Sequence, residues 1–476
     1  MSDVAQHEKA HDAYPDNSNS VSAVEADYTE QEERKIVRKI DWILLPILTF
    51  LYLLSFLDRS NIGNARIEGL VSDLKIKDYS TLVSIFFVGY VIAELPANWA
   101  LKVTKPALWL PTLTLVWGIV SVTMGLVHNE AGILGVAEAG LFPGVLYVFS
   151  RFYKRAERTA RVSFFFSAAA AAGAFGGVLA YGLGRMNGIG GKHGWSWIFI
   201  IEGLLTIVVS CIAYLIIPNY PHLSNRFSPR EKEIIAARLG ADSDALEDEN
   251  FSWAEVRRAL TSIQVWGYSI LFHCYSFGLY TLSNFLPSII QGLGYQSYQA
   301  QLLTVPPYFF AFLVTMTTAY VSQRLKIRAP FIIGAAFIAI IGYIVLITSP
   351  TIGGKYAAVF LCAGGIYSGT ALLLAWPSEN LMGQTFRATG LAMVISIGDV
   401  GAIVGTQLYR IPLGGVANKN YHISYALTIV YLGLGAITAG SLWFGLDRAN
   451  KKAAALPAKN ESHEQLWKKF GFIYQV

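Results

Sequence analysis

Charge is scarce in this chain. Only 14% of its 476 residues are Asp, Glu, Lys or Arg, where a soluble enzyme of this length carries about a quarter. Cysteine is scarcer still. Cys211, Cys274 and Cys362 each lie alone inside an apolar stretch, which excludes a disulfide framework and leaves no pair at zinc spacing. There is no HExxH and no nucleophile elbow, and GLGRMNG lacks the glycine spacing of a dinucleotide loop. No enzyme and no cofactor is therefore expected. Residues 1–33 are polar and acidic, without the basic start and short apolar core of a signal peptide. What the chain has in abundance is apolar sequence: 54% hydrophobic residues and a mean hydropathy of +0.43. Aromatics reach 13%, with 25 Tyr and 11 Trp, residues that favour the membrane–water interface. These features define a polytopic membrane protein.

Apolar windows of about 20 residues, the length that spans a bilayer, recur near 41–64, 80–101, 107–127, 131–150, 162–184, 195–217, 263–290, 302–322, 329–348, 355–380, 388–410 and 423–446. The expected fold class is an all-α membrane protein with twelve transmembrane helices in two six-helix halves. The domain reading is a disordered N-terminal tail over 1–36, a first half over 37–217, a middle loop over 218–262, a second half over 263–446 and a C-terminal tail over 447–476. Loops after even-numbered spans hold 11 Lys and Arg, and those after odd-numbered spans hold 8 if Arg66 is counted among them. Four more basic residues precede the first span in RKIVRK. That bias places both termini in the cytoplasm.

The middle loop is more than a linker. Ser228-Pro-Arg-Glu231 and Ser252-Trp-Ala-Glu255 both fit the capping box, and Phe251 with Val256 fits the hydrophobic staple. Two short surface helices are expected, separated by the acidic DSDALEDE. A six-plus-six layout also suggests an internal repeat. Arg158 stands nine residues before Ser167 in one half, as Arg387 stands nine before Ser396 in the other.

Within the first span, YLLSFLDRSNIGNA puts Asp58 beside Arg59 after a run from Trp42 to Leu57 that contains no charge. Charge inside lipid costs several kcal/mol unless it is paired or faces a watery cavity, so it marks a functional site by default. A guanidinium stays charged and presents a planar fork that fits a carboxylate. Arg59 is therefore the leading candidate for an anionic substrate; the competing reading is a neutralising partner for a nearby acid. Adjacent helical residues point about 100° apart, so Asp58 and Arg59 are expected to find separate partners.

The motifs resemble a known family. KIDWILLPILTFLYLLSFLDRSNIGNARIEGL, ELPANWALK, GVAEAGLFPG, RTARVSFFFSAAAAAGAFGG, GWSWIFIIEG, LSNRFSPREKEIIAARL and NLMGQTFRATG are similar, in that order, to the fungal allantoate-permease-like branch of the anion:cation symporters. That branch lies within the major facilitator superfamily and is related to the sialin-like organic anion transporters. The resemblance implies alternating access around a central cavity, with uptake of a small carboxylate together with protons. It implies a multi-pass protein, most naturally of the plasma membrane, working as a monomer with the lipid bilayer and no nucleic acid as partner. Arg59, Asn61, Tyr280 and Asn284 are the expected substrate-binding set. Asp58 and Glu138 are the expected proton-coupling carboxylates, with Asp399 a third, because the family more usually has asparagine there. Glu94, Glu202, Arg158 and Arg387 are expected to gate or to hold structure. Tyr275 and His273 are further hydrogen-bonding candidates, and Glu379 and Asn380 are placed near the cytoplasmic mouth.

One departure stands out. Between His128 and Glu138 the family pattern is longer and carries an arginine where Ala131 stands here. Span 4 is therefore expected to be short and transport weak. Two alternative functions remain open at this level. One is a non-transporting nutrient sensor or inactive relative. The other is a drug or cation exporter, which GAFGGVLAYG disfavours by lacking the proline such exporters carry in span 5.

Overall fold

A computed structural model describes residues 28–129, 141–240, 252–381, 383–409 and 421–455. Every regular element among them is helical: α1 Glu30–Ile67, α2 Leu70–Asp73, α3 Tyr79–Val103, α4 Pro106–Met124, α5 Leu141–Phe152, α6 Arg155–Gly184, α7 Gly194–Ile216, α8 Pro229–Gly240, α9 Trp253–Thr261, α10 Ile263–Gly292, α11 Ser297–Leu325, α12 Ala329–Thr348, α13 Ile352–Asn380, α14 Gln384–Leu408 and α15 His422–Ala455. Each expected span coincides with a long helix, or with α5 for the fourth, and the fold class is the one expected. Nine described helices are long and apolar enough to cross a membrane by themselves. Helix α10 is not among them, because it carries Tyr, Ser, Thr, His and Asn, but it is buried along most of its length and needs no lipid-compatible surface.

Local chemistry sets where the helices begin. Thr29 and Glu32 form a reciprocal capping box, so α1 starts at Glu30, inside the stretch expected to be tail. Asp78 caps α3 by accepting from the amides of Ser80 and Thr81, and Pro106 opens α4, where its missing N–H costs nothing. Helix α1 also runs past residue 64. Arg66 is therefore a helical residue rather than a loop cation, which lowers the basic count on that side by one.

The middle loop holds the two expected helices. The first box closes, with Ser228 N–H donating to Glu231 Oε2 at 2.8 Å and Glu231 N–H to Ser228 Oγ at 3.2 Å. The second closes by half: Ser252 Oγ caps the amide of Glu255, while the Glu255 carboxylate turns to Arg258 instead. The staple residue Phe251 and the acidic DSDALEDE lie outside the described residues. Helix α8 is no free surface element. It buries Ile234, Ile235 and Arg238 against the first half, with Arg238 between Glu33 and Glu157 at 3.3 and 2.6 Å. Lys39 on α1 holds Glu231 at 2.8 Å.

In the first half α1 packs on α6 and α7, and α4 on α7; in the second, α10 packs on α14 and α15, and α12 on α13 and α15. The halves meet where α6 faces α11, α3 faces α14 and α1 faces α10. Hydrogen bonds close the seam at the end remote from the start of α1. Ser297 Oγ donates to the Ile67 carbonyl at 3.1 Å, Gln301 Nε2 to Glu68 at 2.9 Å, and Gln407 Nε2 to Ser84 Oγ at 2.8 Å. Glycine permits the approach at Gly173, where a Cβ would stand 2.6 Å from the Tyr308 ring. Large apolar side chains such as Ile92, Val208, Phe309 and Ile437 face outward, as a lipid-facing surface requires.

Candidate functional site

The middle of α1 is a buried polar stripe. Ser55, Arg59, Ser60, Asn61 and Asn64 all lie inside the protein, although the sequence around them is apolar. Arg59 is 8% exposed. Its Nη1 donates to the Tyr280 hydroxyl on α10 at 2.7 Å. Its guanidinium lies 4.6 Å from the ring centroid of Tyr90 on α3 and 5.6 Å from that of Tyr280. The aromatic faces give the cation a partner inside the protein. Because α10 belongs to the second half, this one side chain bridges the two halves.

Asp58 points elsewhere, as the helical angle requires. Its Oδ1 accepts from Ser121 Oγ on α4 at 3.1 Å and from Asn61 Nδ2 at 3.2 Å. The same Asn61 nitrogen donates to Glu202 Oε2 on α7 in a short contact. Two carboxylates thus share one amide group. Glu202 is 2% exposed, and its Oε1 meets no hydrogen-bond donor among the described residues.

A narrow cavity of about 50 Å³ opens beside this stripe, walled by Asp58, Arg59, Ser121 and Asn284 and by the apolar Phe86 and Trp117. Asn284 belongs to the site. It is 1% exposed, and its Nδ2 has no hydrogen-bond partner among the described residues, which leaves a donor at the cavity wall. The space is far below the several hundred Å³ that a bound small molecule occupies, so the walls must separate for loading.

The expected site residues therefore divide. Arg59, Tyr280, Asn284 and Asp58 come together. Asn61 is buried, joins Asp58 to Glu202 on α7, and is not among the described residues lining the cavity. Glu202, expected only to gate or hold structure, joins the Asp58 cluster. Asp399 on α14 is buried. Arg158 donates to the carbonyls of Tyr153 and Ser150, and Arg387 to that of Leu381, so each holds the chain just before its helix in the same manner. His273 Nδ1 meets the Ile397 carbonyl, and Tyr275 donates to the Ile332 carbonyl; both are helix-packing bonds. Glu379 pairs with Arg328 at 3.0 Å, and Asn380 donates to Tyr268. Glu138 and the expected shortening of span 4 lie outside the described residues, as does the side chain of Glu94. Tyr90 and Ser121 escaped the sequence reading, since nothing in their local sequence separates them from other helix residues.

Three kinds of comparison place the chain. The family model of the Major Facilitator Superfamily matches residues 48–406. An uncharacterised transporter of Schizosaccharomyces pombe is 33% identical over 431 residues, covering 89% of this chain and 88% of that protein. The high-affinity nicotinic acid transporter of Saccharomyces cerevisiae is 32% identical over 392 residues, covering 79% and 72%. Among solved structures, an inward-facing, unoccupied bacterial homologue of the human lysosomal transporter Spinster aligns with a TM-score of 0.62 at 15% identity, covering 87% of this chain and 98% of that one. A proton:xylose symporter aligns with a TM-score of 0.63 at 14% identity, covering 85% and 96%. With a family match over most of its length and relatives 33% and 32% identical across most of theirs, the chain belongs to the major facilitator superfamily of membrane transporters.

Proposed function

We propose that the chain is a secondary active transporter of the allantoate-permease-like branch, taking up a small organic anion together with protons by alternating access. The observation that carries this reading is Arg59: a cation buried in the middle of a spanning helix, at a cavity, contacting the other half through Tyr280. A permanent cation there selects for an anion, and its planar fork suits a carboxylate. Its bond to Tyr280 is also one that a substrate carboxylate can replace, which links occupancy to the relation between the halves. The relative that transports nicotinic acid supports a carboxylate of that size. Asp58, Glu138 and Asp399 are the proton-coupling candidates. We place the protein in the plasma membrane as a monomer with both termini cytoplasmic, and the six-helix halves move about the seam.

The deciding experiment is uptake of radiolabelled nicotinate, pantothenate, biotin and allantoate in a yeast strain lacking its own carriers for them. Saturable uptake of at least one, inhibited by excess unlabelled acid, is the expected result. Uptake of organic cations with no response to any carboxylate would sink the reading.

A further inference from the structure

A second cationic cavity lies two helical turns from Arg59. Its volume is about 330 Å³, and Arg66, Ser288, Gln291, Lys355, Tyr421 and His422 line it. That volume falls at the lower end of small-molecule sites. No carboxylate is among its described lining residues. Among the described residues Arg66 makes no ion pair, and its Nη1 is buried without a hydrogen-bond partner. His422 Nε2 is in the same condition. Buried polar atoms left unmatched are costly and rare, and among the described residues three of them, Ser288 Oγ included, belong to residues of this one cavity. Tyr421 also holds a left-handed backbone (φ 61°) at its wall, a conformation that costs energy and clusters at functional sites.

The placement repeats that of Arg59. Seven residues advance a helix by about 10 Å and return nearly to the same face, so Arg59 and Arg66 form a ladder along one stripe of α1. Each rung has an aromatic setting. Arg66 lies 4.4 Å from the Tyr79 ring and 5.4 Å from that of Phe285, as Arg59 lies over Tyr90 and Tyr280. The cavity draws Arg66 from the first half and Lys355 and His422 from the second, at the end of the seam where Ser297 and Gln301 close it.

We propose that Arg66, Lys355 and His422 form a second anion-binding site, in which a small carboxylate is held on its way between the solvent at that end and Arg59. The staging role rests on the organic-anion reading above; the anion site itself does not. Two cations and a ring nitrogen able to donate supply the binding groups, and the neutral polar wall of Ser288 and Gln291 leaves the ligand's remainder unselected.

The test uses the full chain in phosphatidylcholine nanodiscs, titrated with sodium acetate or inorganic phosphate at constant ionic strength, with the thermal midpoint as readout. Acetate should raise the midpoint, and Arg59→Gln should leave a response. Arg66→Gln and Lys355→Gln should each weaken the apparent acetate affinity by about tenfold, the usual effect of losing one charge-assisted bond. Because Arg66 also packs on two rings, Lys355→Gln is the variant that keeps the test independent of packing. It should also raise the KM of carboxylate uptake while leaving the maximal rate unchanged. No response to either acetate or phosphate in the unmodified chain, or an acetate response unaltered in both variants, overturns the site. A phosphate response without an acetate response overturns the carboxylate assignment. Stabilisation that appears only when phosphatidylglycerol replaces phosphatidylcholine assigns the anion to a lipid headgroup and overturns the staging role. If uptake of every carboxylate fails while acetate binding still depends on Lys355, the transport reading falls and the anion site stands. If uptake is robust and binding is indifferent to both variants, the transport reading stands and the site falls.

Discussion

Arg59 combines three properties that lysine lacks: a charge independent of pH, a planar fork, and a flat face that stacks on Tyr90. Arg59→Lys keeps the charge and loses the rest. On the scale of charge-assisted hydrogen bonds the cost is about 1–3 kcal/mol, an apparent KM raised roughly 5- to 150-fold. Surface expression should be unchanged, as an immunoblot of surface-labelled protein will check; near-normal uptake by Arg59→Ala defeats the assignment. Glu202 admits a separate experiment. Glu202→Gln retains an acceptor for Asn61, whereas Glu202→Ala leaves the fully buried amide with Asp58 alone to accept from it. The alanine variant should lose about 1–3 kcal/mol of stability, the scale of a lost hydrogen bond to a charged group, and the glutamine variant much less. Thermal unfolding in detergent measures both. Equal stability of the two variants shows that the Asn61 contact contributes nothing. At this scale the sequence was readable where chemistry is local. The charge pair in LDRSNIGNA announced itself, and the 100° helical step correctly separated Asp58 from Arg59. The partners were not readable, because Tyr90, Ser121 and Glu202 reach the stripe from three other helices, and no spacing along the chain encodes such a meeting.

Helix α8 shows how a short element acquires a fixed position. Its capping box sets its first turn, and Arg238, wholly buried, then fastens it between Glu33 and Glu157. Removing one member of a buried ionic cluster leaves the others uncompensated, typically by 3–5 kcal/mol. Both glutamates here keep some exposure, and Lys154 also serves Glu33, so Arg238→Ala should cost about 3 kcal/mol, at the low end of that range. The expected signs are a lower thermal midpoint and faster proteolysis within 218–262. Unchanged proteolysis excludes the clamp. Glu231 adds a pH dependence. Burial alone raises its pKa, but the hydrogen bond and charge of Lys39, with the Ser228 bonds, outweigh it and bring the carboxyl below its ordinary value. A depressed carboxyl contributes stability above its unfolded pKa and loses it as pH falls through the folded value, so this contact weakens only in acid. Both partners are partly exposed, which keeps the effect small. The elements themselves were largely legible, since spans follow from apolar length and caps from Ser, Thr and Asp at the right offsets. The ends were less so: α1 gains turns at both ends because Thr29 caps it early and Arg66 is sheltered by Tyr79 and Phe285. Glu255 chose Arg258 over its own cap, since a side chain three residues on competes for the same carboxylate.

At the scale of the whole molecule, the seam is hydrogen-bonded at the end remote from the start of α1, and the central cavity is too small for a vitamin-sized acid. Transport therefore requires the halves to separate, and on the proposed anion:proton reading this motion is tied to a proton. Asp58 is placed for that role. It sits next to Arg59 in the chain, lines the same cavity, and is joined through Asn61 to the buried carboxylate of Glu202. Two like charges so close in a medium of low dielectric oppose each other, so a proton bound on one side and released on the other changes the balance of the cluster. Uptake should rise as external pH falls from about 7 to about 5, where protonation of carboxylates becomes appreciable, and should collapse with a protonophore. Asp58→Asn keeps an acceptor for Ser121 and Asn61 but removes the charge. It should abolish accumulation against a gradient while counterflow exchange persists, because binding at Arg59 survives without proton release. If Asp58→Asn still concentrates substrate, the coupling carboxylate is Glu138 or Asp399, and the same pair of assays on Glu138→Gln and Asp399→Asn decides between them.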